Sequence, residues 1–150
     1  MTTIAYKNGV LAADSRAYSG QRMPIGEKDK IHRLRDGSIF GVSTASVGGD
    51  ALVRAWIEDG CRPADKDQPI PGDFVLILVK PNGELFYAKD NLSLTGPLDA
   101  PYIAVGTGAE YAMGAMEMGA DACTAVEVAT RLDPFSGGTV STLRLFGEPA

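Results

Sequence analysis

The chain has 150 residues, 45% of them hydrophobic, and carries 14 basic against 19 acidic side chains for a formal net charge of −5. That length and apolar content suit one globular domain over residues 1–150, with no polar linker, low-complexity tract or internal repeat to divide it. The acidic balance and scattered Lys and Arg argue against a nucleic-acid footprint, and no apolar run approaches the ~20 residues of a membrane span.

Residues 2–6 and 10–16 are apolar-rich runs around Lys7, Asn8 and Gly9, a β-hairpin signal. Two registers are open. A two-residue Asn8-Gly9 turn sets Thr2 opposite Ser15. A three-residue Lys7-Asn8-Gly9 loop, with Gly9 left-handed at a bulge, sets Thr2 opposite Asp14. The second register puts Thr2, Ile4, Tyr6, Val10, Ala12, Asp14 and Arg16 on one face; it brings a hydroxyl beside a carboxylate and is the expected one. Residues 19–27 read as a Gly/Pro-bearing loop. "KIHRL" (30–34) and "SIFGVSTAS" (38–46), joined through Asp36-Gly37, read as a strand pair. "GGDALVRAWIEDG" (48–60) reads as a short helix capped by Asp50, with Leu52, Val53, Trp56 and Ile57 as its apolar stripe and Gly60 as its stop. The charged, proline-rich stretch 61–73 reads as loop.

"FVLILVK" (74–80), Pro81-Asn82-Gly83 and "ELFYAKD" (84–90) make a second hairpin. "YIAV" (102–105) is a buried strand that leads through Gly106-Thr107-Gly108 into a helix over 109–119. Thr124 and Glu127 have capping-box spacing, so a further helix starts there and runs to Leu132. "TVSTLRLF" (139–146) closes the chain as a strand. Hairpins outnumber helices, so the economical packing is α+β: two mainly antiparallel sheets face to face, with a helix layer outside each. A single sheet with helices on one face is the alternative.

Taken locally, Asp14, Ser15 and Arg16 need be no more than polar residues at a strand end, and "DPFSGG" (133–138) no more than a turn. "GTG" (106–108) offers backbone N–H groups and a hydroxyl at a helix start. It is not a dinucleotide loop, because Tyr111 stands where GxGxxG has its third glycine. His32 reads as a packed or solvated strand residue and Lys28 as a solvated charge. Met113, Met116 and Met118 read as adaptable packing or a subunit contact. One His and the isolated Cys61 and Cys123 build no metal site, so no metal or other cofactor is expected. With no signal segment at the start, and cysteines suited to a reducing interior, a cytoplasmic location is expected.

Six segments in order alter that balance: "TTIA", "GVLAADSR", "KDKIHRL", "GDALVRAW", "AVGTGAEYAMGAME" and "DPFSGG". Over nearly its whole length the chain resembles proteasome β-type subunits, N-terminal-nucleophile (Ntn) hydrolases that include the HslV-type bacterial peptidases. The resemblance implies a four-layer αββα Ntn-hydrolase sandwich of two mainly antiparallel sheets, with a reduced helix layer on one side. It implies a threonine peptidase whose nucleophile is Thr2, made N-terminal by removal of Met1. Asp14 and Arg16 fall on the family's A-D-x-R run, and Lys30 on its active-site lysine. Thr107 falls on the serine that supports the threonine amine. Asp133, Ser136 and Gly137 fall on the D-x-x-S-G segment. The implied partners are a peptide or unfolded-protein substrate, further copies of the chain in a ring, and an ATP-dependent unfoldase, with no cofactor.

Three departures from the family accompany these matches. The oxyanion glycine falls on Ser46, or on Val47 after a one-residue slip, where a backbone N–H survives the change of side chain. The family's second long helix has no counterpart, since 61–73 leads straight into a strand. The first hairpin is shorter by about four residues, two per strand, which preserves facing. A shell or assembly protein that keeps the fold without cleavage, and a non-proteolytic Ntn amide hydrolase, are therefore the alternative functions.

Overall fold

A computed structural model describes residues 2–20, 23–45, 48–62, 67 and 73–146. The fold is α+β, with helices few and strands antiparallel. Strands β1 (Ile4–Lys7), β2 (Val10–Ala13), β9 (Tyr102–Val105) and β10 (Ser141–Arg144) form one four-stranded sheet in the order β10-β2-β1-β9. Strands β5 (Ile31–Arg33), β6 (Ile39–Thr44), β7 (Phe74–Val79) and β8 (Leu85–Lys89) form a second, in sequence order. β3 (Arg16–Ser19) and β4 (Met23–Glu27) pair as a separate ribbon.

Strand alternation sorts the apolar residues onto two faces of each sheet. Ile4, Leu11 and Ala13 of the first sheet share one buried cluster with Ile31, Ile39, Ile77 and Val79 of the second, which places this core between the sheets. Ala5 and Ala12 turn the other way. They are covered by α2 (Ala109–Glu117) and α3 (Ala122–Leu132), through Ala112, Met116, Ala125 and Ala129. Small residues on both sides let these helices lie close to the sheet. Phe40, Val42, Leu76 and Leu78 are covered by α1 (Gly49–Glu58), through Val53, Trp56 and Ile57.

Several sequence expectations are corrected. The first hairpin pairs Ile4 with Ala13 and Lys7 with Val10, leaving Asn8-Gly9 as a two-residue turn. Both turn residues have positive φ, 51° and 78°, as a type I′ turn requires. Continued outward, this register sets Thr3, not Thr2, opposite Asp14, and the Asp14 N–H donates to the Thr3 carbonyl at 3.1 Å. Leu11 and Ala13, rather than Val10 and Ala12, share the face of Ile4. The supposed loop at 19–27 contains β4. It is exposed throughout, so it lacks the alternation that reveals a half-buried strand.

Asp50 does not cap α1: Gly48 is the N-cap, and the Asp50 carboxylate instead takes Thr44 and Lys28. Leu52 lies outside the buried stripe of that helix. The capping residue of α3 is Asp121, which accepts from the Thr124 N–H at 2.7 Å. Between α1 and β7 only residues 59–62, 67 and 73 are described, so the expected absence of a second helix there lies outside the described residues.

Candidate active site

Asp14 leaves the β1–β2 ladder at its end and becomes a junction. Its Oδ1 accepts from the Thr3 N–H at 3.0 Å and from Lys30 Nζ at 2.9 Å, and its Oδ2 accepts from the Gly137 N–H at 2.9 Å. Asp14 is fully buried and Lys30 is 1% exposed. Two charges are tolerated there because they neutralise each other and two backbone donors complete the carboxylate's shell. Burial pushes the Lys30 ammonium below the ordinary lysine range, against the pull of Asp14. The Ser15 and Arg16 N–H groups both donate to the Gly137 carbonyl, at 3.1 and 3.0 Å, tying the end of β2 to the segment after α3. Arg16 reaches Tyr18 and lies so close to Gly137 that any Cβ there would overlap its guanidinium.

Thr2 precedes β1. Its backbone N–H donates to Thr107 Oγ1 at 3.2 Å, and its own Oγ1 accepts from Ser43 Oγ at 2.8 Å. Thr107 Oγ1 donates to Asp133 Oδ2 at 2.6 Å, and Ser136 Oγ donates to the same oxygen at 2.6 Å. A hydroxyl has one proton. Since Ser136 gives its proton to Asp133, the Thr3 hydroxyl 2.7 Å away is the donor of that pair. Burial acts to raise the Asp133 carboxyl, but hydrogen bonds from Ser136, Thr107 and the Phe135 N–H outweigh it and hold the group below its ordinary value.

The "GTG" turn owes both glycines to this approach. Gly106 has φ of 99°, and a Cβ there would overlap the Thr2 carbonyl; a Cβ on Gly108 would overlap the Thr3 hydroxyl. Thr2 opens onto a cavity of about 600 Å³ whose walls include Arg16, Lys28, Lys30, Ser43 and Asp50. This arrangement can hold a nitrogen, a hydroxyl and a buried cation at one wall, which are the elements of base-assisted acyl transfer.

The structure thus brings Thr2, Thr107, Asp133 and Ser136 into one hydrogen-bonded chain, and Asp14, Lys30 and Gly137 into another that meets it at Thr3. Ser46 and Val47, the two candidates for the oxyanion donor, lie outside the described residues, as does Met1. Lys28 is not merely solvated: it pairs with Asp50 at 3.1 Å on the rim of the cavity. His32 packs against Phe40, with ring centroids 5.1 Å apart, away from Thr2. Met116 is buried, whereas Met118 is 88% exposed. Cys61 and Cys123 are free thiols, half-buried rather than fully buried.

Sequence reasoning missed Ser43 and Thr3. In β6, Ile39 and Gly41 face the inter-sheet core, and a Cβ at Gly41 would meet Ile4. Strand alternation therefore also aims Ser43 between the sheets, and a hydroxyl ending an inward-facing apolar row was the available signal.

Among the described residues no helix is long and apolar enough to cross a membrane, and no group of His, Cys, Asp and Glu is placed to hold a metal. No family model matches the chain, and no curated protein matches its sequence. Solved structures do match. HslV from the eukaryote Trypanosoma brucei is similar at a TM-score of 0.69 and 17% identity, over 95% of this chain and 98% of that one. Thiobacillus denitrificans BPH, a bacterial proteasome homologue, is similar at 0.63 and 16%, over 98% and 99%. The same protein in complex with epoxomicin is similar at 0.65 and 18%, over 97% and 99%. The chain has the HslV and proteasome β-type fold.

Proposed function

We propose that this chain is a threonine peptidase of the proteasome β-type, HslV-like kind. In this reading it is a single domain with a reduced αββα arrangement that cleaves peptides or unfolded proteins inside a homo-oligomeric assembly. A cytoplasmic setting agrees with its two free cysteines, and an ATP-dependent unfoldase is the partner that would deliver substrate. The observation that carries the reading is the relay from Thr2 N through Thr107 Oγ1 to Asp133. Thr107 spends its only proton on Asp133, so it offers the Thr2 nitrogen a lone pair with a carboxylate behind it. That suits a nitrogen that becomes positively charged.

Once Met1 is removed, that nitrogen is an amine with a reference pKa of ~7.7–8.0, able to act as a base near neutral pH. It takes the proton of the Thr2 hydroxyl as Oγ1 attacks the substrate carbonyl. The C–N bond then breaks, and the departing nitrogen receives the proton that the amine holds. Water, deprotonated by the same amine, hydrolyses the resulting ester and restores Thr2. Lys30 beside the site favours the neutral amine and the developing alkoxide, and Asp14 fixes its direction and balances its charge. Ser136 and Thr107 hold Asp133, and Arg16 braces Gly137. A backbone N–H near Ser46 takes the oxyanion.

The test combines intact mass with epoxomicin, which the Thiobacillus denitrificans protein binds. Chains that begin at Thr2 should be modified at that residue, and chains that retain Met1 should not. Modification of Met1-bearing chains would sink the amine-as-base mechanism, and modification of neither form would count for a non-cleaving shell protein.

A further inference from the structure

A second cavity, of about 770 Å³, opens beside Ser43 and Thr107, the hydrogen-bond partners of Thr2. Val75, Tyr87, Leu98 and Ile103 line it, and all four are only partly covered members of the inter-sheet core. The core is therefore left open along the edge between β8 and β9, and the opening reaches the two hydroxyls that bond Thr2. Ser43, bonded to the Thr2 hydroxyl, lines both cavities; Thr107, bonded to the Thr2 nitrogen, lines only this one.

We infer that this cavity receives the leaving-group half of the substrate and selects an apolar side chain immediately after the cleaved bond. The inference rests on the nucleophile reading above. In that chemistry the Oγ1–C bond forms, the C–N bond breaks, and the bonding pair stays on nitrogen. This nitrogen takes the proton that the amine received from the Thr2 hydroxyl, so it must depart past the amine. The amine lies on the Thr107 side. The acyl half then occupies the cavity walled by Lys30, and the residue after the cut enters the cavity walled by Leu98 and Ile103. The charged residues that also line this cavity, Asp73, Lys89 and Asp90, are solvent-exposed, so the partly covered walls of Val75, Leu98 and Ile103 favour an apolar side chain over a charged one.

Three peptides that share one acyl half and carry Leu, Asp or Lys after the cut test this in competition, with products quantified by mass spectrometry. Leu should exceed Asp and Lys in kcat/KM by about tenfold or more. Leu98→Lys should shift preference toward Asp, with circular dichroism and thermal unfolding confirming that the variant is folded. Cleavage of all three peptides at equal kcat/KM by the unsubstituted chain overturns the assignment and leaves the nucleophile standing. No cleavage of any peptide, together with no modification of Thr2 by epoxomicin, overturns the nucleophile and this assignment with it.

Discussion

Lys30 and Lys28 are two residues apart and sit in opposite surroundings, so replacing each by methionine isolates what burial does to a charge. Lys30 and Asp14 have side chains 1% and 0% exposed and are 2.9 Å apart; Lys28 and Asp50 are 39% and 32% exposed at 3.1 Å. Removing one partner of a buried pair costs ~3–5 kcal/mol, because the other charge stays behind. Asp14 keeps the Thr3 and Gly137 N–H donors, which places Lys30→Met near the lower end, about 3 kcal/mol. At ~2–4 °C per kcal/mol for a chain of this size, the melting temperature should fall by about 6–12 °C. An exposed pair contributes ~0–1 kcal/mol, so Lys28→Met should stay within about 4 °C of the parent. Burial thus makes Lys30 a contributor to stability as well as to the charge at the site.

Activity must therefore be read well below the variant's melting temperature, with a fluorogenic peptide. There kcat/KM should fall by about 10²-fold or more for Lys30→Met, and by less than about threefold for Lys28→Met. Adding Asp14→Asn to Lys30→Met removes the stranded charge. The double variant should regain part of the lost stability and none of the activity. Equal losses of stability and of rate in the two single variants would refute the reasoning, since they would make Lys30 an ordinary surface charge.

Thr107→Ala should lower kcat by about 10²-fold with little change in KM, and Thr107→Ser should restore most of it, because only the hydroxyl between Thr2 N and Asp133 is at issue. Gly106→Ala forces a side chain onto a φ of 99° and into the Thr2 carbonyl; a loss of at least ~1–3 kcal/mol by urea unfolding, together with loss of epoxomicin modification, is expected. The Asp133 carboxyl titrates below its ordinary 3.8 when folded, so its contribution to stability is complete above that value and disappears as pH falls through the lower folded pKa. The gap in unfolding free energy between the parent and Asp133→Asn should accordingly narrow from about pH 5 to about pH 2.5, and a gap that widens over that range contradicts the sign.

The strands packed on both faces, such as 74–79 and 102–105, are legible as short unbroken apolar runs. β4 buries nothing, and its residues reveal nothing. The first hairpin shows a subtler limit. Gly9 takes positive φ in either candidate turn, so its presence decides nothing. The choice falls on Asn8, whose side chain tolerates the left-handed region and whose type I′ geometry matches the twist of the strands. At α3, both Asp121 and Thr124 are competent caps, and only the backbone shows which one the helix uses. The candidate site survives these errors because it is not built from local register. Thr107 meets Thr2 across 105 residues and Gly137 meets Asp14 across 123, and motifs report such meetings where periodicity cannot. Ser43 belongs to no motif, and its one sequence signal is its place at the end of an inward-facing apolar row.

Why the chain carries two threonines in succession follows from strand alternation together with hydrogen-bond direction. Neighbouring residues on an extended segment point to opposite sides. Thr2 turns its hydroxyl to Ser43 beside the cavity walled by Lys30, and Thr3 turns its own inward, fully buried, to Ser136. Because Ser136 and Thr107 both spend their protons on Asp133, the bonds form a closed circuit: Thr2 nitrogen, Thr107, Asp133, Ser136, the Thr3 hydroxyl, and back along the peptide to Thr2. The protons of both arms point toward Asp133, where the arms converge, and each hydroxyl polarises the group that donates to it. The Thr2 nitrogen is therefore held through its neighbour's side chain as well as its own bond. Asp14 grips the same neighbour by its backbone N–H and Lys30 by charge, so the two hydrogen-bonded chains of the site share Thr3. A freed terminus would ordinarily fray. Here the residue behind it is fastened on both sides, and the terminal nitrogen can lose its covalent predecessor without losing its position.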